Sequence, residues 1–161
     1  MLLVSGSNMS GKSTLMRSIG VNSVLAQMGS VVCAEQMTLP PVHIESSMRI
    51  IDSLATGTSF FMAELKRLKE IVDVAGQLAK NNEKMLLFLL DEILQGTNSR
   101  ERQIAVAQVV KSLIDSGAIG AISTHDLELA AAPELEQACV PVHFTEPVSY
   151  THLTLPTTPY V

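Results

Sequence analysis

The stretch LLVSGSNMSGKSTLMRSIG, residues 2–20, constrains this chain more than any other. Leu2 to Val4 reads as the apolar tail of a buried strand and runs straight into Gly6. Gly6, Gly11, Lys12 and Ser13 then follow the spacing G-x-x-x-x-G-K-S. From Lys12 to Met28 the pattern is helical, with Leu15, Ile19, Leu25 and Met28 as an apolar stripe and Gly29 as a stop. Strand, glycine-bracketed loop and helix in that order require a sheet for the helix to fold back on, hence an α/β architecture. The loop also carries chemistry. From Gly6 through Ser7, Asn8, Met9, Ser10 and Gly11 to Lys12, Ser13 and Thr14, main-chain N–H groups are expected to wrap phosphates beside a positive helix N-terminus. Lys12 is placed to reach the β- and γ-phosphates of ATP, and the Ser13 hydroxyl to ligate Mg²⁺. A chance glycine turn would not come with the right strand before it and the right helix after it.

The rest of the chain continues the alternation. Short strands are expected at Val31 to Cys33, Val42 to Ile44 and Met48 to Ile51, around Pro40-Pro41. Ser59 to Ala79 reads as a long amphipathic helix with Phe61, Leu65, Leu68 and Val72 on one face, ended by Asn81-Asn82. Met85 to Leu90 is a continuous apolar run, the pattern of a strand covered on both faces. A second helix is expected over Ser99 to Ser116, with Ile104, Ala107, Val110 and Ile114 inward. Ala118 to Ile122 and Val140 to Phe144 read as strands, and Asp126 to Ala131 as a short helix. The sum is a mostly parallel sheet flanked by helices.

Further polar residues sit at the ends of these elements. Asp91 closes the apolar run and is placed to hold Mg²⁺, often through water. Glu92 follows it, and a second carboxylate there can orient and deprotonate an attacking water. A phosphate-transferring kinase has no need of it, so Asp91-Glu92 points to hydrolysis. Ser123-Thr124-His125 follows the next strand, where His125 can contact a γ-phosphate and sense its loss. Asn98, in Gly96-Thr97-Asn98-Ser99, is suited to cap a helix. Ser59, in Gly57-Thr58-Ser59, offers a hydroxyl at a helix start, a phosphate-binding arrangement or a plain cap. His43 and His143 lie in strand-like runs and read as structural.

Composition narrows the partners. The net charge is −5 over 161 residues, with 47% hydrophobic residues. Lys66, Arg67 and Lys69 are interleaved with Glu64 and Glu70 and read as a solvated helix face rather than a grip on DNA. Cys33 and Cys139 are far apart and read as reduced thiols of a cytoplasmic protein. No apolar run approaches the ~20 residues of a membrane span. From Pro147 to Val161 there is no Asp, Glu, Lys or Arg. The expected division is therefore an ATPase domain over residues 1–146, truncated at both ends, and a non-native or disordered tail over 147–161.

At this point the motifs together resemble the ATPase domain of the MutS family of DNA mismatch-repair proteins. LLVSGSNMSGKSTLMRSIG is similar to that family's phosphate loop, and GTSFFMAE to its G-x-S-T-F-M-x-E stretch, with Phe60 where Thr is usual. LLDEILQGTNSRERQIA resembles its Asp-Glu strand and helix, ISTHDLELA its histidine switch and VHFTE its closing strand. The wording after Glu92 suggests a divergent subfamily. The resemblance implies an ABC-type P-loop NTPase acting as a homodimer or heterodimer, with ATP and Mg²⁺ between subunits. Ser59 would face the partner's γ-phosphate, and Asn98 and Ser99 would line the seam. ATP turnover would drive clamp movements on mismatched or structured double-stranded DNA, held by other domains, in a cytoplasmic, nucleoid-associated protein with no membrane partner. The rival readings are an ABC transporter or SMC-like subunit, a P-loop kinase, and a fragment that binds nucleotide without turnover. The chain has no L-S-G-G-Q stretch, which counts against the transporter.

Overall fold

The strand at residues 85–91 sits on the boundary between two cores. In the computed structural model, which describes residues 1–7, 10–48, 60–81, 84–94, 98–125 and 139–145, the elements are β1 (Leu2–Gly6), α1 (Lys12–Gln27), β2 (Val42–Met48), α2 (Phe60–Asn81), β3 (Met85–Asp91), α3 (Ser99–Asp115), β4 (Ile119–Thr124) and β5 (Val140–Phe144). Side chains alternate across a strand. Leu86, Phe88 and Leu90 of β3 therefore pack with Leu68, Ile71 and Ala75 of α2 and Val106, Val110 and Leu113 of α3. Leu87 and Leu89 face the other way, onto Met16 of α1, with Val42 and Ala121. Each fully buried side chain of this size is worth roughly 1.5–3 kcal/mol, so a continuous apolar run is stable only when both faces are covered.

The sheet has the order β2-β3-β4-β1-β5, and every pair is parallel. The α/β reading and the mostly parallel sheet hold. Parallel pairing brings the carboxyl ends of β1, β3 and β4 to one edge, the edge at which open α/β sheets carry their ligands. Gly120 lets β4 lie close to β3: a Cβ there would come within 2.1 Å of the Phe88 carbonyl oxygen and 2.6 Å of its ring.

Several local expectations need correction. Val31 to Cys33 forms no strand, and Val31 is 87% exposed. Residues 34–41 separate it from β2, and the Cys33 N–H donates to the Asn22 side chain of α1 instead of to a strand. The stripe expected on α1 is rotated in part: Ile19 does pack against the core around Met16. Met16 and Ser23 are buried, whereas Met28 is 74% exposed. Gly20 lies on the buried side, where a Cβ would come within 2.9 Å of Leu89 Cδ1, so the helix sits close to the sheet there. On α3, Val110 faces inward as expected, but Ile104 is 58% exposed. It lies two residues before Val106, about 200° round the helix. Met48 ends β2 rather than opening a strand of its own. Residues 49–51 and the helix expected over Asp126 to Ala131 lie outside the described residues, as do 146–161.

Candidate functional site

The loop after β1 is shaped by its glycines. Gly6 has φ +140, and a Cβ there would sit 2.4 Å from the Phe144 carbonyl oxygen. Gly11 has φ +94 and caps α1 without a side-chain hydrogen bond to the helix. The amides of the first turn of α1 are therefore presented at the loop without a side-chain cap, as phosphate oxygens require. Ser10 Oγ donates to the Ser7 carbonyl at 2.8 Å, closing the loop on itself. Asn8 and Met9 lie outside the described residues.

Lys12 is buried at 2% exposure. Its Nζ donates to the carbonyls of Gly6 at 2.9 Å and Ser7 at 2.7 Å. It stands 3.8 Å from Glu92 Oε1. The same Glu92 oxygen is hydrogen-bonded to His125 Nε2. His125 Nδ1–H donates back to the Gly6 carbonyl at 2.9 Å. Gly6, Lys12, Glu92 and His125 thus close a polar ring drawn from the carboxyl ends of β1, β3 and β4 and the start of α1. The sequence places these residues 6, 12, 92 and 125 along the chain, and only the parallel register brings them together.

Asp91 and Ser123 are direct partners in the β3–β4 register. They project on the α1 face, because they continue the alternation of Leu87, Leu89 and Ala121. Ser123 Oγ donates to Asp91 Oδ1 at 2.5 Å and accepts the Glu92 N–H at 3.0 Å. Asp91, 5% exposed, is held in one orientation by this hydroxyl. Sequence reasoning named His125 in Ser123-Thr124-His125 but missed Ser123. The signal available was its place two residues after Ala121, on the face that carries Asp91.

The turn after β3 is strained. Glu92 has φ 51 and Leu94 φ 59, the left-handed region that side chains avoid. Each such residue costs of order 1–3 kcal/mol and persists only where its surroundings hold it. Both amides are anchored: Glu92 N–H on Ser123, and Leu94 N–H on Glu64 Oε1 at 2.8 Å. Glu64 corrects the reading of its helix face as solvated, since it is 5% exposed. Its spacing from Phe61 and Leu68, three and four residues away, placed it on the apolar stripe. Burial pushes its carboxyl above the usual range, against the pull of the Leu94 amide.

The histidines left as structural are both paired, His143 with Ser5 at 2.9 Å and His43 with Glu45 at 2.9 Å. Burial alone would raise the Glu45 carboxyl, but the His43 and Arg67 hydrogen bonds outweigh it and hold it below its usual value. Arg67 also donates to the Ser46 carbonyl, which pins the expected surface cation to β2. Asn98 caps α3, accepting the Glu101 N–H at 2.9 Å. Ser59 lies outside the described residues, as does the side chain of Ser99. Cys33 and Cys139 are both free thiols. Among the described residues no helix is long and apolar enough to cross a membrane, and no group of three or more His, Cys, Asp or Glu could by itself hold a metal ion. A Mg²⁺ held by one carboxylate, one hydroxyl and phosphate oxygens needs no such group, and Asp91 and Ser13 are of the right oxygen-donor type.

Fold and site define an α/β domain whose polar groups gather at the carboxyl edge of a parallel sheet. The family described as MutS domain V matches residues 2–155, and the chain belongs to that family. It is 37% identical over 140 residues to the DNA mismatch repair protein MutS of Natronomonas pharaonis, covering 84% of this chain and 15% of that protein. It is 36% identical over 137 residues to the protein of the same name from Thermotoga petrophila, covering 84% of this chain and 16% of the relative. The chain thus spans about a sixth of the length of these relatives. Among solved structures it has a distant likeness to C. elegans PCH-2, with TM-score 0.49 and 17% identity over 91% of this chain and 35% of that one.

Proposed function

We propose that this chain is the P-loop, ABC-type ATPase unit of a MutS-like mismatch-repair protein, binding ATP with Mg²⁺ and hydrolysing it. The observation that carries the reading is the polar ring of Gly6, Lys12, Glu92 and His125 beside the uncapped start of α1. In this reading the residues 6–14 hold the phosphates through main-chain N–H groups, and Lys12 neutralises the β- and γ-phosphates. Ser13 and Asp91 would hold Mg²⁺, which would supply charge neutralisation on the phosphate oxygens. Glu92 takes a proton from the attacking water, and His125 orients that carboxylate against the loop. Ser123 fixes both neighbours, Asp91 by its O–H and Glu92 by its backbone.

Membership of the MutS domain V family supports the wider setting. There the nucleotide lies between two subunits, Ser59 faces the partner's γ-phosphate, Asn98 lies at the seam, and turnover drives clamp movements on DNA bound by other domains. The experiment is ATP hydrolysis measured across a dilution series, with nucleotide binding measured alongside. A site shared between subunits gives a rate per subunit that falls on dilution while the binding of ATP persists. A rate per subunit that stays flat contradicts the shared site. Absence of ATP binding contradicts the reading as a whole.

A further inference from the structure

Glu64 is the buried acid that the reaction above does not use. It sits on α2, one turn into the helix, and its Oε1 accepts the Leu94 N–H at 2.8 Å. Its Oε2 is buried and has no hydrogen-bond partner among the described residues. Burying a carboxyl costs free energy that its hydrogen bonds must offset, and here the bond to Leu94 is the one that does so. The contact falls on the strained turn. Leu94 and Glu92 both hold left-handed backbone, with Ile93 buried at 5% exposure between them. The turn has an anchor at each end. Ser123 of β4 holds the Glu92 amide, and Glu64 of α2 holds the Leu94 amide.

We infer that Glu64 is a positioning residue for Glu92: by accepting the Leu94 N–H it fixes the turn that aims the Glu92 carboxylate at Lys12 and His125. The inference rests on the proposed ATPase reading for its catalytic consequence, but the brace itself does not. Without the acceptor, the buried Leu94 amide loses its partner and the turn can relax toward right-handed backbone. Relaxation at Leu94 swings Glu92, two residues away, off the ring. The loop of residues 6–14 is anchored on β1 and α1 and stays where it is, so nucleotide binding is spared.

The test compares the parent chain with Glu64→Gln and Glu64→Met. Gln keeps a carbonyl oxygen to accept the Leu94 N–H and resembles a protonated carboxyl. Met fills a similar volume with no oxygen. Two readouts are taken: hydrogen exchange of the Leu94 amide, and kcat with KM for ATP. In Glu64→Met, Leu94 should exchange at least about tenfold faster and kcat should fall about 10- to 100-fold, with KM within about threefold of the parent. Glu64→Gln should restore both. Equal Leu94 protection in Glu64→Met and parent would overturn the inference. So would a Gln variant as slow as Met, or a KM that rises in step with the loss of kcat. If the parent hydrolyses no ATP, the functional reading fails, and the Leu94 exchange still decides the brace. If Glu64→Met does not fold, Glu64→Gln alone decides: its Leu94 protection and kcat must match the parent, and a loss of either overturns the inference.

Discussion

His125 and Glu92, 33 positions apart in sequence, share a hydrogen bond at the carboxyl edge of the sheet, and the histidine's other nitrogen holds the Gly6 carbonyl. The imidazole therefore ties the proposed general base to the first residue of the proposed phosphate loop. A side chain that bridges base and loop can report on either. In His125→Ala the Glu92 carboxylate loses one of its tethers, while the loop keeps Lys12 and its glycines. Turnover should fall by about 10- to 100-fold with nucleotide affinity nearly unchanged, as read by steady-state hydrolysis and equilibrium binding.

Lys12 makes the opposite split. Its ammonium is buried and donates to two loop carbonyls. Charge-assisted hydrogen bonds are worth roughly 1.5–3 kcal/mol each, so Lys12→Ala should weaken ATP binding by about 10- to 100-fold or more. Titration of a fluorescent nucleotide measures it. Affinity retained to within a factor of two would remove Lys12 from the phosphate site.

The close approach of β4 to β3 makes a prediction about stability alone. Gly120→Ala drives a Cβ into the Phe88 carbonyl and ring. Neither backbone nor packed aromatic can yield cheaply, so the substitution should cost about 1–3 kcal/mol. Gly76, in the middle of α2 with open space around it, is the control. There Ala should be neutral or stabilise by about 0.5–1 kcal/mol. Urea unfolding with an unchanged m-value separates the two.

Much of this was legible in the sequence, and the limits have physical causes. The strand–loop–helix order of β1 and α1, β3 and the inward Val110 follow from local pattern. The polar ring does not, because its geometry depends on β4 lying between β1 and β3 in the sheet. The close seat of α1 on the sheet brings Gly20 against Leu89, a tertiary contact that an apolar count along the helix misses. Glu64 was misread because its charge suggested solvent, although its spacing put it on the buried stripe.

That misread acid gives a pH prediction. Burial holds the Glu64 carboxyl above its usual value, so the unfolded chain releases this proton at lower pH than the folded one. Its contribution to stability is fully present below the ordinary glutamate value of about 4.3 and is lost as pH rises through the raised folded value. Glu64→Gln removes that loss. The stability of the variant relative to the parent should therefore grow with pH across this window. Parallel curves of unfolding midpoint against pH would show that Glu64 does not titrate differently on folding.

In the proposed function Glu92 is the base of an ATP hydrolysis site built on the loop of residues 6–14. The most direct measurement places ATP binding and hydrolysis by Glu92→Gln beside the parent chain under identical conditions. Gln keeps the size of the side chain and a hydrogen-bonding oxygen but cannot take a proton from water. If Glu92 is the base, binding stays within about threefold of the parent and hydrolysis slows by about 10²-fold or more. Hydrolysis at the parent rate would contradict that role.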